Sequence, residues 1–326
     1  MIYRRLGNSG LKVSALSFGT WVNFNKEQSL DDAVACLSAA YEGGMNFFDC
    51  AETYAAGEAE TILGQAIGQL GWRRNDYIIS TKFFFGIDGA INSGHTLNRK
   101  YLMSAIDGSL ARLNHDMVDL VFCHRPDAET PIEEVVWAMS DIVASGKAMY
   151  WGVSEWPAKS IRKAYEIAER YRLRAPIMEQ PQYSLIARQR VEREYKDLYK
   201  DFGMGLTTWS PLASGVLSGK YLDGIPTDSR LATTNQRRAN ARIQDESLKL
   251  AIRALQPIAR QLGCSLSQLA IAWCLKNPRV STVITGARNP SQVQENIRAL
   301  NFVDRLDDEI MIRINEIFPR TPTFAD

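Results

Sequence analysis

The sequence has few of the residues that build metal centres, disulfides or nucleic-acid sites. It contains three histidines and five cysteines, and no two cysteines have CxxC spacing, which argues against a zinc knuckle. With 38 Lys and Arg against 37 Asp and Glu, the net charge of +1 gives no bulk attraction to nucleic acid or to an anionic membrane. No apolar run reaches the roughly 18 residues of a membrane span, and residues 1–20 lack a signal-peptide core. We therefore expect a cytoplasmic protein with reduced thiols, no nucleic-acid partner and no membrane insertion.

Short apolar runs alternate with longer segments of helical period along the whole chain. Runs of four to eight residues between helical segments are typical of strands buried on both faces. The predicted strands are Ala15–Gly19, Asn46–Asp49, Tyr77–Lys82, Val118–Cys123, Ala148–Val153, Pro176–Gln180, Gly205–Trp209 and Ser281–Gly286. The predicted helices between them are Leu30–Glu42, Ala59–Leu70, Arg99–Leu113, Pro131–Ser145, Lys159–Tyr171, Val191–Phe202, Leu248–Leu262 and Pro290–Leu300.

This alternation predicts an α/β fold, a single (β/α)8 TIM barrel, for which about 250 residues is typical. No Gly/Ser-rich or Pro-rich linker divides the chain, so residues 1–326 are expected to form one domain. The surplus length is assigned to an N-terminal β-hairpin over Tyr3–Val13 that closes the barrel bottom, a long functional loop over Gly215–Ala241, and extra C-terminal helices at Gln268–Lys276 and Asp307–Ile317.

Two helix starts carry capping signals. Thr130 precedes Pro131 and Glu133, which predicts a Thr cap with proline at the first helical position. Ser265 stands three residues before Gln268, which predicts a capping box at the start of an extra helix.

Four ionisable residues follow the ends of three neighbouring strands: Asp49, Tyr54, Lys82 and His124. Active sites of such barrels lie at the carboxyl ends of the strands. Tyr is a poor acid at its ordinary pKa of about 10, and a nearby Lys82 ammonium, held by Asp49, should lower that pKa. With His124 orienting a carbonyl, the set predicts carbonyl reduction or alcohol oxidation. Each residue taken alone also fits a structural role, as a helix cap, a core histidine or a surface lysine, and the joint placement favours chemistry.

The segment Gly44–Ala51, followed by Tyr54, Gly57, Glu60 and Leu63-Gly64, resembles the aldo-keto reductase signature. Further stretches resemble the voltage-gated potassium channel β-subunit family and its microbial and plant relatives; they are Gly19–Val22, Gly71–Arg74, Ala148–Gly152, Trp209–Ala213, Gly219–Tyr221 and Leu269–Leu275. The resemblance runs from Tyr3 to about Ile317. It implies a barrel that binds NADPH or NADP+ across its rim, and the lack of a GxGxxG fingerprint agrees with this.

The resemblance assigns roles residue by residue. The catalytic tetrad falls on Asp49, Tyr54, Lys82 and His124. Cofactor contacts fall on Thr20, Trp21, Asp49, Ser154, Gln180, Trp209, Ser210, Leu212, Gly215, Lys220, Arg230, Gly286, Arg288, Gln292, Glu295 and Asn296. Arg288 precedes a helix N-terminus, a favourable place for an anion, so we expect NADPH to be preferred over NADH through its 2′-phosphate.

The expected substrate pocket is mostly aromatic, which favours small aldehydes and ketones. Its walls are predicted to be Trp21, Tyr54, Phe84, Phe85, Arg125 and Trp156. Two interpretations of Arg125 stay open, namely a contact with a substrate carboxylate or phosphate and a structural pair with Asp127. Two positions depart from the channel subunits, which carry Asn at position 124 and Arg at 155. The presence of His124 implies a more competent enzyme than the channel subunits, whereas the role of Glu155 stays open.

Other functions remain as alternatives. The chain is also compatible with an NADPH-binding regulatory subunit or redox sensor with a channel-like partner, for which the resemblance implies a homo-oligomer, a tetramer or larger. A Schiff-base aldolase that uses Lys82 is a lower-ranked alternative. A metal hydrolase is disfavoured, because His124 is the only histidine expected at the rim.

Overall fold

The computed structural model describes residues 1–21, 24–25, 29–227 and 237–319. Its centre is a closed barrel of eight parallel strands in the order β3 to β10, with β10 pairing with β3. The strands are β3 Leu16–Gly19, β4 Phe47–Asp49, β5 Ile78–Phe83, β6 Val118–Cys123, β7 Ala148–Val153, β8 Met178–Glu179, β9 Gly205–Thr208 and β10 Val280–Thr285. The predicted (β/α)8 barrel is confirmed, and each predicted strand overlaps one of these.

Helices lie between consecutive strands around the barrel and after the last strand. They are Leu30–Glu42, Glu58–Leu70, Arg99–Leu113, Ile132–Ala144, Ala158–Tyr171, Lys196–Phe202, Arg237–Gln244, Glu246–Leu262, Leu266–Lys276, Pro290–Arg298 and Asp308–Ile317. The two extra C-terminal helices are confirmed. No helix within the described part of the chain is long and apolar enough to cross a membrane.

The N-terminal hairpin covers one end of the barrel. Strand β1 (Tyr3–Arg5) pairs antiparallel with β2 (Lys12–Ser14). Leu6 and Val13 belong to an apolar cluster with the inward-facing side chains of the barrel strands, which include Phe47, Ile78 and Leu120. The hairpin therefore seals the amino ends of the strands and leaves the carboxyl ends open, as expected for this architecture.

Local signals predicted some boundaries well and others less well. At the helix Leu266–Lys276, Ser265 and Gln268 make both hydrogen bonds of a capping box. At the helix Ile132–Ala144, by contrast, Pro131 is the cap residue and the Thr130 hydroxyl donates to Asp127 at 2.6 Å. The Thr130 cap is therefore wrong, because the neighbouring carboxylate competes for that hydroxyl.

Two longer segments differ from the predictions. The segment expected as one helix over 191–202 contains a π-turn at Arg190–Glu194, and a regular helix begins only at Lys196. The buried Tyr195 hydroxyl donates to the Trp156 carbonyl at 2.7 Å at this junction, where the wide turn interrupts the 3.6-residue period. The expected loop over 215–241 contains the helical turn Val216–Ser218 and the helix start at Arg237. Residues 228–236 of it lie outside the described residues.

Candidate active site

A cavity of about 910 Å³ opens at the carboxyl ends of the barrel strands. Most predicted site residues line it, from Trp21 and Tyr54 at one side to the start of the helix Pro290–Arg298 at the other. Those predicted residues are Trp21, Asp49, Tyr54, Phe85, His124, Arg125, Ser154, Gln180, Trp209, Ser210, Leu212, Gly215, Lys220, Gly286, Arg288, Gln292, Glu295 and Asn296. Cofactor-sized and substrate-sized groups both fit a cavity of this volume.

Lys82 lies fully buried beneath the cavity and joins two of the predicted catalytic residues. Its Nζ donates to Asp49 Oδ2 at 2.7 Å, to the Cys50 carbonyl at 2.7 Å and to the Tyr54 hydroxyl at 3.1 Å. All three donors of the ammonium are therefore satisfied. The strand register explains the meeting, because β4 ends at Asp49 and the adjacent β5 carries Lys82 near its own end.

Asp49 is held by two further donors that the sequence analysis did not link to it. The Ser80 hydroxyl donates to Asp49 Oδ1 at 2.8 Å, and the Gln180 side-chain amide donates to the same oxygen at 3.0 Å. Ser80 lies on β5 two residues before Lys82, and the alternation of side chains along a strand places both on the same face. This spacing could have indicated Ser80. Gln180 follows β8 on the opposite side of the barrel, and no local pattern connects it with Asp49.

Burial changes the expected acidity of Tyr54. Removal from water raises the pKa of the Tyr54 phenol to about 12, although the Lys82 charge acts in the opposite direction. The expectation that Lys82 brings the pKa of Tyr54 below its ordinary value is therefore wrong for the net shift. Burial opposes the charge on Lys82 as well, but Asp49 and Tyr54 raise the pKa of Lys82 above its usual range. At neutral pH the site therefore holds a neutral phenol beside a charged ammonium.

His124 lies next to Tyr54 on the cavity wall. The two rings meet edge to face with centroids 5.8 Å apart, and Phe85 contacts His124 at 5.1 Å. Burial, together with the Lys82 and Arg125 charges, holds the pKa of His124 well below its usual range. Its Nδ1 is buried without a hydrogen-bond partner in the described part of the chain. A neutral imidazole beside a neutral phenol can bind a carbonyl oxygen from two sides.

Trp209 and Ser154 lie across the cavity from Tyr54. The Trp209 indole Nε1 donates to Glu155 Oε1 at 3.0 Å. Glu155 itself has a left-handed backbone (φ 60°) and pairs with Arg190. The sequence left the role of Glu155 open. In the structure its carboxylate accepts a hydrogen bond from the Trp209 indole and does not line the cavity. The Ser154 hydroxyl donates to the Gln180 carbonyl at 2.8 Å.

The far end of the cavity is built around the helix Pro290–Arg298. Asn289 caps this helix by accepting from the Gln292 backbone, and Gln292 accepts from the backbone N–H of Arg288 at 2.8 Å. Between this end and Trp209, the wall turns sharply, with left-handed backbone at Ser210, at Ala213 and through to Gly215. Curved backbone of this kind and a helix N-terminus are both favourable surroundings for phosphate.

Several predicted residues lie away from the cavity. Thr20 is buried behind the wall, where its hydroxyl donates to the Asp49 carbonyl at 3.1 Å. Trp156 is 2% exposed in the apolar core, and Phe84 packs against Phe85 and His95 beside the wall. Arg230 lies outside the described residues. Lining residues that the sequence analysis missed include Gly19, Thr53, Ser267 and Thr285.

The described part of the chain contains no group of three or more His, Cys, Asp and Glu side chains arranged to hold a metal ion. All five cysteines are free, and four of them are buried. The cavity itself offers the Tyr54 hydroxyl and the neutral His124 imidazole above the buried Lys82–Asp49 ion pair.

The barrel and the site at its open end indicate a class of protein, and the sequence profile then identifies the family. A parallel barrel whose open end carries a buried Lys–Asp pair beneath a Tyr and a His has the site of a barrel enzyme with ionisable groups in contact. The sequence profile of the Aldo/keto reductase family matches residues 15–318, and the chain belongs to this family of oxidoreductases.

The similarity to curated relatives extends over nearly the whole chain. A protein of Oryza sativa subsp. japonica described as "Probable voltage-gated potassium channel subunit beta" is 50% identical over 99% of this chain and 98% of its own. A protein of Arabidopsis thaliana with the same description is also 50% identical, with the same coverage. The family resemblance stated from the sequence is confirmed.

Proposed function

We propose that this protein is an NADPH-dependent reductase that converts small aldehydes and ketones to alcohols, with residues 1–326 acting as one catalytic domain. The observation that carries the proposal is the contact of the Lys82 ammonium with both Asp49 and the Tyr54 hydroxyl beneath the cavity. This arrangement supplies a proton at the Tyr54 oxygen and stabilises the phenolate that forms as the proton leaves.

The residues around the cavity can bind a nicotinamide adenine dinucleotide phosphate. Trp209 offers an indole ring that is held by its hydrogen bond to Glu155, and Ser154 and Gln180 offer polar atoms beside it. Lys220 and Arg288 offer positive charges toward the other end of the cavity. When bound, NADPH supplies the hydride for the carbonyl carbon. Tyr54 and His124 orient the carbonyl oxygen, and Tyr54 delivers the proton to it.

Tyr54→Phe tests the acid. The substitution removes the hydroxyl and leaves the ring, so reduction of 4-nitrobenzaldehyde should fall by about 10²–10⁴-fold while NADPH binding changes little. Cofactor oxidation followed by absorbance and NADPH titration followed by fluorescence measure the two quantities. Turnover that survives in Tyr54→Phe would show that another group delivers the proton.

Arg288→Ala tests the choice of cofactor. Arg288 lies at the cavity mouth beside the helix Pro290–Arg298, where its guanidinium can bind the 2′-phosphate through charge-assisted hydrogen bonds. The variant should weaken NADPH binding about tenfold or more and leave NADH binding nearly unchanged. An unchanged ratio of the two affinities would remove Arg288 from phosphate recognition.

A second candidate function follows from the relatives, which are described as potassium channel β subunits. In that case the protein is a cytoplasmic homo-oligomer, a tetramer or larger, which reports bound NADPH to a channel-like partner. Tight NADPH binding without turnover, together with retention of a channel partner in a pull-down, would favour this candidate.

The Schiff-base alternative is disfavoured by charge. An amine must be neutral to attack a carbonyl, whereas Lys82 donates to Asp49 and has a pKa above its usual range despite burial. Borohydride trapping in the presence of an aldehyde substrate should therefore give no covalent adduct at Lys82.

A further inference from the structure

Among the described residues that line the Tyr54 side of the cavity, Arg125 carries a formal positive charge without a carboxylate partner. The formal cations among the described lining residues are Arg125, Lys220 and Arg288, and the last two lie toward the end assigned to the cofactor phosphates. Lys82 lies beneath the wall and is neutralised by Asp49. Arg125 therefore supplies the uncompensated positive charge beside the predicted carbonyl position.

Asp127 does not neutralise Arg125, although the sequence left that pairing open. One Asp127 oxygen accepts from the Thr130 hydroxyl at 2.6 Å and from the Leu97 N–H at 2.8 Å. The other oxygen accepts from the backbone of Glu129 at 2.8 Å. Asp127 thus organises the start of two helices, and no described carboxylate forms an ion pair with Arg125.

The guanidinium is nevertheless held at a defined place. Its Nη1 donates to the His124 carbonyl and to the Ser154 hydroxyl, the latter at 3.3 Å, and its carbon lies 5.8 Å from the centre of the Phe85 ring. Nε and Nη2 have no hydrogen-bond partner among the described residues. A half-buried guanidinium with one anchored nitrogen and two unused donor groups is arranged to bind a planar anion.

We propose that Arg125 forms an anion subsite and that the preferred substrates are aldehydes or ketones bearing a carboxylate. This proposal depends on the proposed reductase function for its orientation, since the carbonyl must lie between Tyr54 and His124. The His124 ring and the Arg125 guanidinium both lie beside the Phe85 ring, at 5.1 and 5.8 Å from its centre. A compact aromatic or short-chain oxo acid can therefore place its carboxylate at the guanidinium and its carbonyl at His124. The subsite then selects among substrates without taking part in proton transfer.

A pair of nearly isosteric substrates tests the proposal with NADPH as cofactor. Wild-type protein should reduce 4-carboxybenzaldehyde with a kcat/KM about ten- to a hundredfold above that for 4-formylbenzamide, mainly through KM. Arg125→Met, which keeps an apolar stem, should abolish this preference, so that kcat/KM for the acid falls about ten- to a hundredfold more than kcat/KM for the amide. Arg125→Lys should retain part of the preference, because it keeps the charge and loses the planar fork.

Arg162→Met is the matched control. Arg162 also lies over a phenylalanine ring, that of Phe202 at 5.2 Å, and it pairs with Asp201 on the outside of the barrel. The substitution Arg162→Met removes the same charge far from the cavity and should leave kcat/KM for both substrates unchanged. NADPH affinity should stay within about threefold in Arg125→Met. An equal loss for both substrates, or a large loss of NADPH binding, would overturn the subsite and make Arg125 a support for His124 or for the cofactor.

A binding measurement separates failure of the subsite from failure of the reductase function. Dissociation constants of benzoate and benzamide are measured by calorimetry with saturating NADP+ and without it, for wild-type protein and Arg125→Met. Tighter binding of benzoate that disappears in Arg125→Met supports the anion subsite even if no aldehyde is reduced. Equal binding of the two probes by wild-type protein overturns the subsite even if the reductase works.

Discussion

Two charged clusters lie on opposite sides of the cavity, and each holds an aromatic ring by its polar atom. In the lysine cluster, formed by Lys82, Asp49 and Tyr54, the ammonium donates to the phenol oxygen at 3.1 Å. In the glutamate cluster, formed by Glu155, Glu179, Arg190 and Trp209, the Glu155 carboxylate accepts from the indole nitrogen at 3.0 Å. The phenol of Tyr54 carries a proton that can be transferred, as the proposed function requires, whereas the indole of Trp209 serves only as a hydrogen-bond donor.

The balance of charge and the burial differ between the clusters. Lys82 and Asp49 form a one-to-one pair with side chains 0% and 4% exposed, while Arg190 and Glu155 are 34% and 20% exposed. The glutamate cluster also has a second carboxyl group, since Glu179 Oε1 accepts from the Glu155 backbone at 2.5 Å. Burial, and then the Glu155 charge, raise the pKa of Glu179 well above its usual range. The second carboxyl group of the glutamate cluster therefore resists ionisation, whereas the ammonium of the lysine cluster is favoured by its partners.

Breaking the lysine cluster should have the largest effect. Lys82→Met leaves Asp49 buried without its cation, so the free energy of unfolding should fall by about 3–5 kcal/mol, and turnover should fall by at least about 10²-fold. The double variant Lys82→Met/Asp49→Asn removes both charges and should regain part of the stability but none of the activity. Urea unfolding and cofactor oxidation measure the two properties.

An exposed pair provides the control for that experiment. Arg99 and Asp141 meet at 2.6 Å with side chains about half exposed, so Arg99→Met should cost less than about 1 kcal/mol. A double variant as unstable as Lys82→Met alone would show that packing of the lysine stem, rather than an unpaired charge, accounts for the loss.

Breaking the glutamate cluster at Glu155 should have an intermediate effect. Glu155→Leu removes the acceptor for the Trp209 indole and for the Gln182 backbone, so NADPH affinity should fall about tenfold. Glu155→Gln keeps an acceptor oxygen and should stay within about threefold of wild type. Fluorescence titration with NADPH distinguishes the variants, and equal losses would show that the pair with Arg190 matters rather than the ring.

A double-mutant cycle with Trp209→Phe tests whether Glu155 acts through the ring. Phenylalanine has no indole nitrogen, so Glu155→Leu should cost little additional NADPH affinity in that background. Additive losses would mean that Glu155 supports the cofactor by another route.

The contrast also shows which features a sequence reveals. Asp49, Lys82 and His124 lie at or just after the ends of strands with clear apolar runs, so the lysine cluster and most helix bounds were predictable. Glu179 lies on a strand of only two residues, and Arg190 lies in a π-turn that a 3.6-residue period does not distinguish from a regular helix. The net pKa shift of Tyr54 depends on depth of burial, which the spacing of residues does not encode.

The substitution Glu179→Gln should give the smallest effect. The pH dependence of the free energy of unfolding should distinguish the two clusters. The pKa of Glu179 is raised in the folded protein, whereas the unfolded chain releases this proton near pH 4.3. Between these two values the folded state binds more protons, so this group makes the free energy of unfolding fall as the pH rises. Glu179→Gln is neutral throughout and should lack that fall, so its advantage over wild type should be absent near pH 4 and grow from pH 5 to 8 in urea unfolding. Lys82 should contribute no slope in this range, because its pKa is raised from an ordinary value that already lies above the range. Parallel pH profiles for wild type and Glu179→Gln would mean that Glu179 is ionised in the folded protein and that the two clusters handle charge in the same way.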